Sequence, residues 1–199
     1  MITIVGIRCG ILTIPFLTIP EGITAVTGDN RAGKTTLLRT AAGMNLPESG
    51  TVTIDGTKPR DCEVGYVSEF PDRYLIFSVV LDEIASPLRF AHRKQEEIDA
   101  AVTAAAETFG ITHLLNRECR TLSGGEKILV GVATALAAHP VLLVLDEPDS
   151  HLDPETTEEL LQKIRNSNCP HVLWSTHSRR IQEQADKTVF IVGGRAEEA

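Results

Sequence analysis

The order of apolar and polar positions divides the chain into a β-rich start, a helical middle and a second set of buried strands. Ile2–Ile7, Ile11–Ile14 and Leu17–Ile19 read as strands. Pro15 and Pro20 interrupt that series, and because proline brings no ladder donor, short edge strands are expected there. Ile23-Thr24-Ala25-Val26-Thr27 is an unbroken apolar, β-rich run, and the parallel core is expected to begin with it. Thr36–Ala42 follows as a helix that Gly43 can end. Leu46–Gly50 is a turn, Thr51–Ile54 a short strand closed by the hairpin-type turn Asp55-Gly56, and Val64–Ser68 another apolar strand. From about Val79 to Leu115 the pattern is mostly helical, with a break expected at Ser86-Pro87. Its second part, Arg93–Phe109, is alanine-rich with charges on one side, as a surface helix is. Lys127–Ala138 predicts a further helix, and Val141–Asp146 and Thr188–Val192 predict strands.

Composition narrows the class. A chain of 199 residues with 42% apolar content suits one α/β domain with a sizeable core. The formal net charge of -8 argues against a broad nucleic-acid surface, so no nucleic-acid partner is expected. Cys9, Cys62, Cys119 and Cys169 lie far apart, which suggests neither a C-x-x-C metal site nor a disulfide scaffold but reduced, mostly buried thiols. No apolar run is long enough to span a membrane, and no basic stretch precedes an apolar one at the start. A cytoplasmic protein is expected, one that reaches a membrane only through a partner.

Gly28-Asp29-Asn30-Arg31-Ala32-Gly33-Lys34-Thr35 fits the phosphate-binding pattern G-x-x-x-x-G-K-[ST], with a strand before it and a helix after it. Glycines let the backbone wrap a phosphate, and the loop N–H groups with the helix N-terminus supply fixed positive potential. Lys34 can reach the outer phosphates and the Thr35 hydroxyl can hold Mg²⁺. The stretch predicts a nucleoside triphosphate site.

Two later stretches add chemistry. Leu122-Ser123-Gly124-Gly125-Glu126 contains a capping box, Ser123 with Glu126, at the start of a helix. Two glycines weaken a helix, and they make sense where something must approach its N-terminus closely. Val141–Glu147 is a fully apolar strand ending in two carboxylates at its C-terminal edge, where α/β folds place ligands. One carboxylate there can hold a hydrated Mg²⁺ and the other can polarise a water.

The order and spacing of these stretches resemble the ABC-type ATPases, over nearly the whole chain. Gly28–Thr35 corresponds to the Walker A loop, Leu122–Glu126 to the signature motif and Val141–Glu147 to Walker B. Ser150-His151-Leu152-Asp153 corresponds to the D-loop, and Ser175-Thr176-His177 carries the switch histidine. The resemblance implies a P-loop NTPase fold: a mainly parallel central sheet, an N-terminal antiparallel β subdomain, and a helical subdomain of about 79–130 inserted between Walker A and the signature. It implies ATP and Mg²⁺ as ligands. The backbone of Asp29–Thr36 would cradle the phosphates, Lys34 would neutralise them, and Thr35 and Asp146 would hold the metal. Glu147 would be the general base, and His177 would contact the γ-phosphate. Ser123 and Gly125 would bind the ATP of an opposite protomer, so the active unit would be a dimer with a second ABC ATPase, either another copy or a paralogue.

Three positions depart from the family. Glu69 stands where the family has a glutamine that contacts Mg²⁺ and the attacking water; a carboxylate can still ligate metal but adds negative charge beside Glu147. No aromatic residue precedes Phe16, and Phe16 falls in an apolar strand where core packing is expected, so stacking of the base on this chain's own side chains is in doubt. Arg31 replaces a common glycine, either adding charge near the phosphates or pointing to solvent.

Glu69–Phe77 followed by Val80-Leu81-Asp82-Glu83-Ile84 is similar to the corresponding loop of energy-coupling-factor and cobalt- or biotin-type importer ATPases. That implies a motor driving an integral membrane transport subunit, contacted around Glu69–Phe77 and Ser86–Phe90. The chain ends at Ala199, soon after the strand at Thr188–Val192, so no added C-terminal domain is expected. The alternatives are a non-transport ABC ATPase, which the absence of heptad repeats and the charge oppose, and a low-turnover ATP-gated regulatory module, which Glu147 and His177 oppose.

Overall fold

A computed structural model describes residues 1–70 and 74–198; Pro71, Asp72, Arg73 and Ala199 lie outside the described residues. In chain order the strands are β1 (Ile2–Cys9), β2 (Leu12–Ile19), β3 (Gly22–Gly28), β4 (Ser49–Ile54), β5 (Val64–Val67), β6 (Leu142–Asp146), β7 (His171–Ser175), β8 (Lys187–Val192) and β9 (Arg195–Glu198). The helices are α1 (Lys34–Ala41), α2 (Val80–Phe90), α3 (Gln95–Phe109), α4 (Gly124–Ala137), α5 (Pro154–Arg165) and α6 (Arg179–Gln184).

Strands β2-β1-β4 form an antiparallel sheet, and β5-β6-β7-β3-β8-β9 a second sheet that is parallel except for β9. In β1 the buried positions are Ile2 and Ile4, then Ile7 and Cys9, a change of phase across Gly6. A β-bulge there, with Gly6 at φ 62, lets both halves face the same core. Strand β2 changes phase opposite it, so Leu12, Ile14, Leu17 and Ile19 are buried while Pro15 and Phe16 both face solvent. This corrects two expectations. β2 is the edge strand that the proline predicts, but Pro15 does not interrupt it, because the edge position leaves no ladder partner for its missing donor. Phe16 is not in the core; it is 64% exposed.

The expected break at Ser86-Pro87 is also absent. Helix α2 runs through Pro87 to Phe90, and the chain turns afterwards, before α3 begins at Gln95. Burial of Val80, Ile84, Ala85 and Leu88 in one core stabilises the helix against the hydrogen bond that proline removes. In α3, Ile98, Val102, Ala106 and Phe109 make the buried stripe, and Gly110 at φ 70 ends the helix. The turn at Asp55-Gly56 has positive φ at both residues, as a type I′ turn requires, yet it closes on a single bridge, Ile54 with Thr57, rather than a full hairpin.

Two cores lie on opposite faces of the parallel sheet. Leu143, Leu145 and Trp174 pack with α2–α5, while Leu142, Val144 and Leu173 pack with α1 and the antiparallel sheet. Every residue of β6 is buried. Burying each of its aliphatic side chains contributes about 1.5–3 kcal/mol, enough to offset the ~1–2 kcal/mol of backbone entropy per ordered residue. Of the cysteines, Cys9 and Cys119 are buried, Cys62 and Cys169 are half-buried, and none is paired. Burial pushes the Cys169 thiol up to about 11.

Candidate active site

The C-terminal ends of β3, β6 and β7 meet at one edge of the parallel sheet, and the Gly28–Thr35 loop leaves β3 there. Two glycines shape that loop. At Gly28 (φ 144) an added Cβ would lie 2.2 Å from the Ile191 carbonyl oxygen, and at Gly33 (φ 114) it would lie 2.8 Å from Leu12 Cδ2. Lys34, only 5% exposed, folds back over the loop and donates from Nζ to the Gly28 carbonyl at 3.0 Å and the Asp29 carbonyl at 3.4 Å. The same ammonium lies 3.0 Å from His177 Nε2 and 3.2 Å from Glu147 Oε1. His177 Nε2 is in turn 3.4 Å from that carboxylate oxygen. A lysine has three protons to donate, so an incoming phosphate oxygen can exchange with these partners without leaving the cation unpaired.

Asp146 closes β6 and is 4% exposed. Its hydrogen-bond donors are three hydroxyls: Ser175 Oγ at 2.7 Å and Thr35 Oγ1 at 3.3 Å on Oδ1, and Tyr66 Oη at 3.2 Å on Oδ2. Burial, and then the Asp146 charge, push the Tyr66 phenol well above its ordinary value. A carboxylate this enclosed and surrounded by neutral oxygen groups suits a hard dication such as Mg²⁺. Thr35 and Asp146 are the residues that would hold one.

Glu147 sits in the left-handed region at φ 51, an arrangement that costs on the order of 1–3 kcal/mol unless its surroundings impose it. They do: its N–H donates to Ser175 Oγ at 2.9 Å, and its carbonyl accepts from Ser150 Oγ at 2.8 Å. The result turns the side chain toward Lys34 and His177 rather than along the strand. Asn30, Arg31, Thr36, Glu69 and Ile11 line the same cleft of about 370 Å³ with Lys34, Thr35 and Glu147. Arg31 is exposed at positive φ, Ala32 is buried, and Glu69 stands on the cleft wall.

The other sequence-predicted residues lie apart from this cluster. Ser123 and Glu126 form the capping box of α4: Glu126 N–H donates to Ser123 Oγ at 3.3 Å and Ser123 N–H to Glu126 Oε2 at 2.7 Å. The Ser123 backbone bond, before the Arg117 ion pair, holds the Glu126 carboxyl below its usual range. Leu122 is buried beneath the cap, and a Cβ added to Gly124 would meet nothing within 4 Å. Gly125 packs near Leu152, with a Cβ 3.3 Å from Leu152 Cδ2. Asp153 caps α5, accepting from the N–H groups of Glu155 and Thr156 and from the Thr156 hydroxyl, and the Thr156 hydroxyl does most to lower its pKa.

Sequence reasoning assigns no role to Tyr66, Asp149 or Ile11, and names Ser175 only as the first residue of Ser175-Thr176-His177. A hydroxyl in an otherwise apolar strand says nothing of which carboxylate it meets.

Residues 15–150 match the family described as ABC transporter. The chain belongs to that family. It is 35% identical over 184 residues to the energy-coupling factor transporter ATP-binding protein EcfA1 of Symbiobacterium thermophilum, covering 87% of this chain and 64% of that one. It is 31% identical over 196 residues to the lipoprotein-releasing system ATP-binding protein LolD 2 of Caulobacter vibrioides, covering 89% of this chain and 84% of that one. The solved structure of CbiO1 from Clostridium perfringens superposes with a TM-score of 0.88 at 24% identity, covering 98% of this chain and 86% of that one, which shows a common fold. The protein is an ABC ATPase, the ATP-binding subunit of a transporter.

Proposed function

We propose that this ABC ATPase hydrolyses Mg²⁺-ATP between two ATPase protomers to drive an integral membrane transport subunit, as an importer of the energy-coupling-factor or cobalt/biotin type. The observation that carries the proposal is the convergence of Lys34, Glu147 and His177 within 3.0–3.4 Å beside a buried Asp146. In this reading the loop from Gly28 to Thr36 binds the phosphates, with Asp29, Asn30, Ala32 and Gly33 contributing backbone and Lys34 charge. Glu147 accepts the proton of the attacking water, and His177 orients the terminal phosphate. Thr35 and Asp146 would hold a Mg²⁺ that would neutralise charge at the phosphates, with Glu69 lining the same cleft. Leu122, Ser123, Gly124, Gly125 and Glu126 present the α4 N-terminus to the opposite protomer's ATP; open space beside Gly124 supports this. Asp153 holds the adjoining D-loop.

The region about 79–130 would act as the helical subdomain that meets the membrane subunit. Support comes from an apolar surface: Phe70, Ile76 and Phe90 are 44%, 76% and 67% exposed, and the Phe77 and Phe90 rings lie 6.3 Å apart. Three residues of the expected contact, Pro71, Asp72 and Arg73, lie outside the described residues. Among the described residues no helix is long and apolar enough to cross a membrane. In this reading the protein sits at the cytoplasmic face, held to the membrane through its partner.

ATP turnover measured alongside molar mass, for wild type and Glu147→Gln, tests this. Hydrolysis by the wild type and an ATP-trapped dimer of the variant are expected. A Glu147→Gln variant that turns over ATP at the wild-type rate would overturn the general-base role, and one that stays monomeric with ATP would overturn the sandwich.

A further inference from the structure

Strand β6 lies between β5 and β7, and each neighbour sends one hydroxyl to Asp146. Ser175, fully buried at the end of β7 and paired in register with Asp146, places Oγ 2.7 Å from Oδ1. The same Oγ lies 2.9 Å from Glu147 N. A backbone N–H can only donate, so the serine oxygen accepts from Glu147 and its one proton is committed to Asp146. Tyr66 Oη, from β5, donates to the other carboxylate oxygen at 3.2 Å. Both oxygens of Asp146 are thus aimed from opposite sides, and one of the aiming groups also holds the backbone of Glu147.

We infer that Ser175 and Tyr66 are positioning residues: they orient the Asp146 carboxylate for the divalent cation, and Ser175 in addition couples that orientation to Glu147. This rests on the Mg²⁺-ATP reading of the site. A strand end serving only the core would carry an apolar group at position 175, as Val172 and Leu173 do three and two residues earlier. A hydroxyl at zero exposure is stable there because both its donor and acceptor functions are used. Groups that orient a metal ligand set affinity for the metal without touching it. The side-chain hydroxyls of Ser175 and Tyr66 bond Asp146 and, for Ser175, the Glu147 N–H, not the Gly28–Thr36 loop itself, so ATP binding without metal should change little in either variant.

Calorimetric titration of the full chain with ATP in EDTA, and with ATP plus Mn²⁺, separates the two effects. The wild type should bind ATP more tightly with the metal. In Ser175→Ala that metal-dependent gain should shrink by about tenfold, the usual consequence of losing a group that orients a metal ligand, while affinity in EDTA is unchanged. Ser175→Thr, which keeps the hydroxyl, should restore most of the gain. Tyr66→Phe, which keeps the ring, should lose part of it and provides the test should Ser175→Ala not fold. A full metal-dependent gain in both Ser175→Ala and Tyr66→Phe overturns the inference, as does an equal loss with and without metal. No gain in the wild type would overturn the metal-holding reading of Asp146, and this inference with it.

Discussion

Trp174 Nε1 donates to Asp149 Oδ1 at 3.0 Å while Thr176 Oγ1 donates to Oδ2 of the same carboxylate at 2.7 Å. Asp149 lies on the short helical turn Pro148–His151 just after Glu147, so one side chain ties that turn to the end of β7, two residues before His177. Trp174 is the chain's single tryptophan and is fully buried, so its fluorescence reports this contact directly. Asp149→Ala leaves a buried indole N–H unpaired and should lower stability by about 1–3 kcal/mol. Asp149→Asn, which keeps one acceptor oxygen, should lose less. Denaturant midpoints followed by tryptophan emission check this, and an Asp149→Ala midpoint equal to wild type would reject the clamp.

Glu83 is 3% exposed and accepts from the N–H groups of Ile76 and Phe77 at 2.8 and 2.7 Å. Burial raises its carboxyl above the usual glutamate range, against the two backbone bonds, which lower it. A folded-state pKa above the unfolded value means the folded protein holds this proton more tightly. The associated stability is complete below the unfolded glutamate pKa and is lost as pH rises through the raised folded one. Glu83→Gln retains an acceptor for the two N–H groups and removes the charge, so it should lose less stability than wild type as pH rises across that window. Glu83→Leu leaves both donors unpaired and should cost about 1–3 kcal/mol for each. Thermal melts at several pH values distinguish the variants; parallel curves for wild type and Glu83→Gln would show that the charge is not penalised.

Glu69 shares a cleft wall with Thr35 and Glu147, which places a third carboxylate near the expected metal and phosphates. Repulsion of that kind slows the approach of anionic phosphate and changes the metal the site prefers. Glu69→Gln should raise turnover by about tenfold, equivalent to ~1.4 kcal/mol of relieved repulsion, and shift preference from Mn²⁺ toward Mg²⁺. Steady-state rates with each metal decide; an unchanged rate and metal profile would mean that Glu69 is an ordinary solvated acid.

Ile11 is 57% exposed and lines the cleft beside Gly33, whereas Phe16 lies on the outer strand. An aliphatic side chain offers a base neither stacking nor hydrogen bonds, so ATP and GTP should bind with similar affinity. Ile11→Tyr should tighten ATP by about fivefold or more, since stacking a base on an aromatic ring contributes ~1–3 kcal/mol. Competition binding of the two nucleotides measures both effects. A strong preference of the wild type for one of the two nucleotides would mean that another side chain reads the base.

The strand-loop-helix around Lys34, the capped helix after Leu122 and the apolar strand ending at Asp146 were legible in sequence because each rests on local rules. Those rules are glycine at strained backbone, a side-chain oxygen at a helix start, and unbroken apolar runs in doubly covered strands. The family followed from their order. The misjudged elements depended on distant partners. Phe16 faces solvent because a bulge at Gly6 of β1 shifts the phase of both strands, and β2 runs unbroken through Pro15 at the edge position the proline signals. Pro87 remains inside α2 because its neighbours are buried by α4 and α3. Pairing across the parallel sheet likewise joins Tyr66, Asp146 and Ser175, residues 80 and 29 positions apart in sequence. Spacing along a chain carries no information about which hydroxyl will face which carboxylate; only the sheet order β5-β6-β7 decides it, by setting those strand ends side by side.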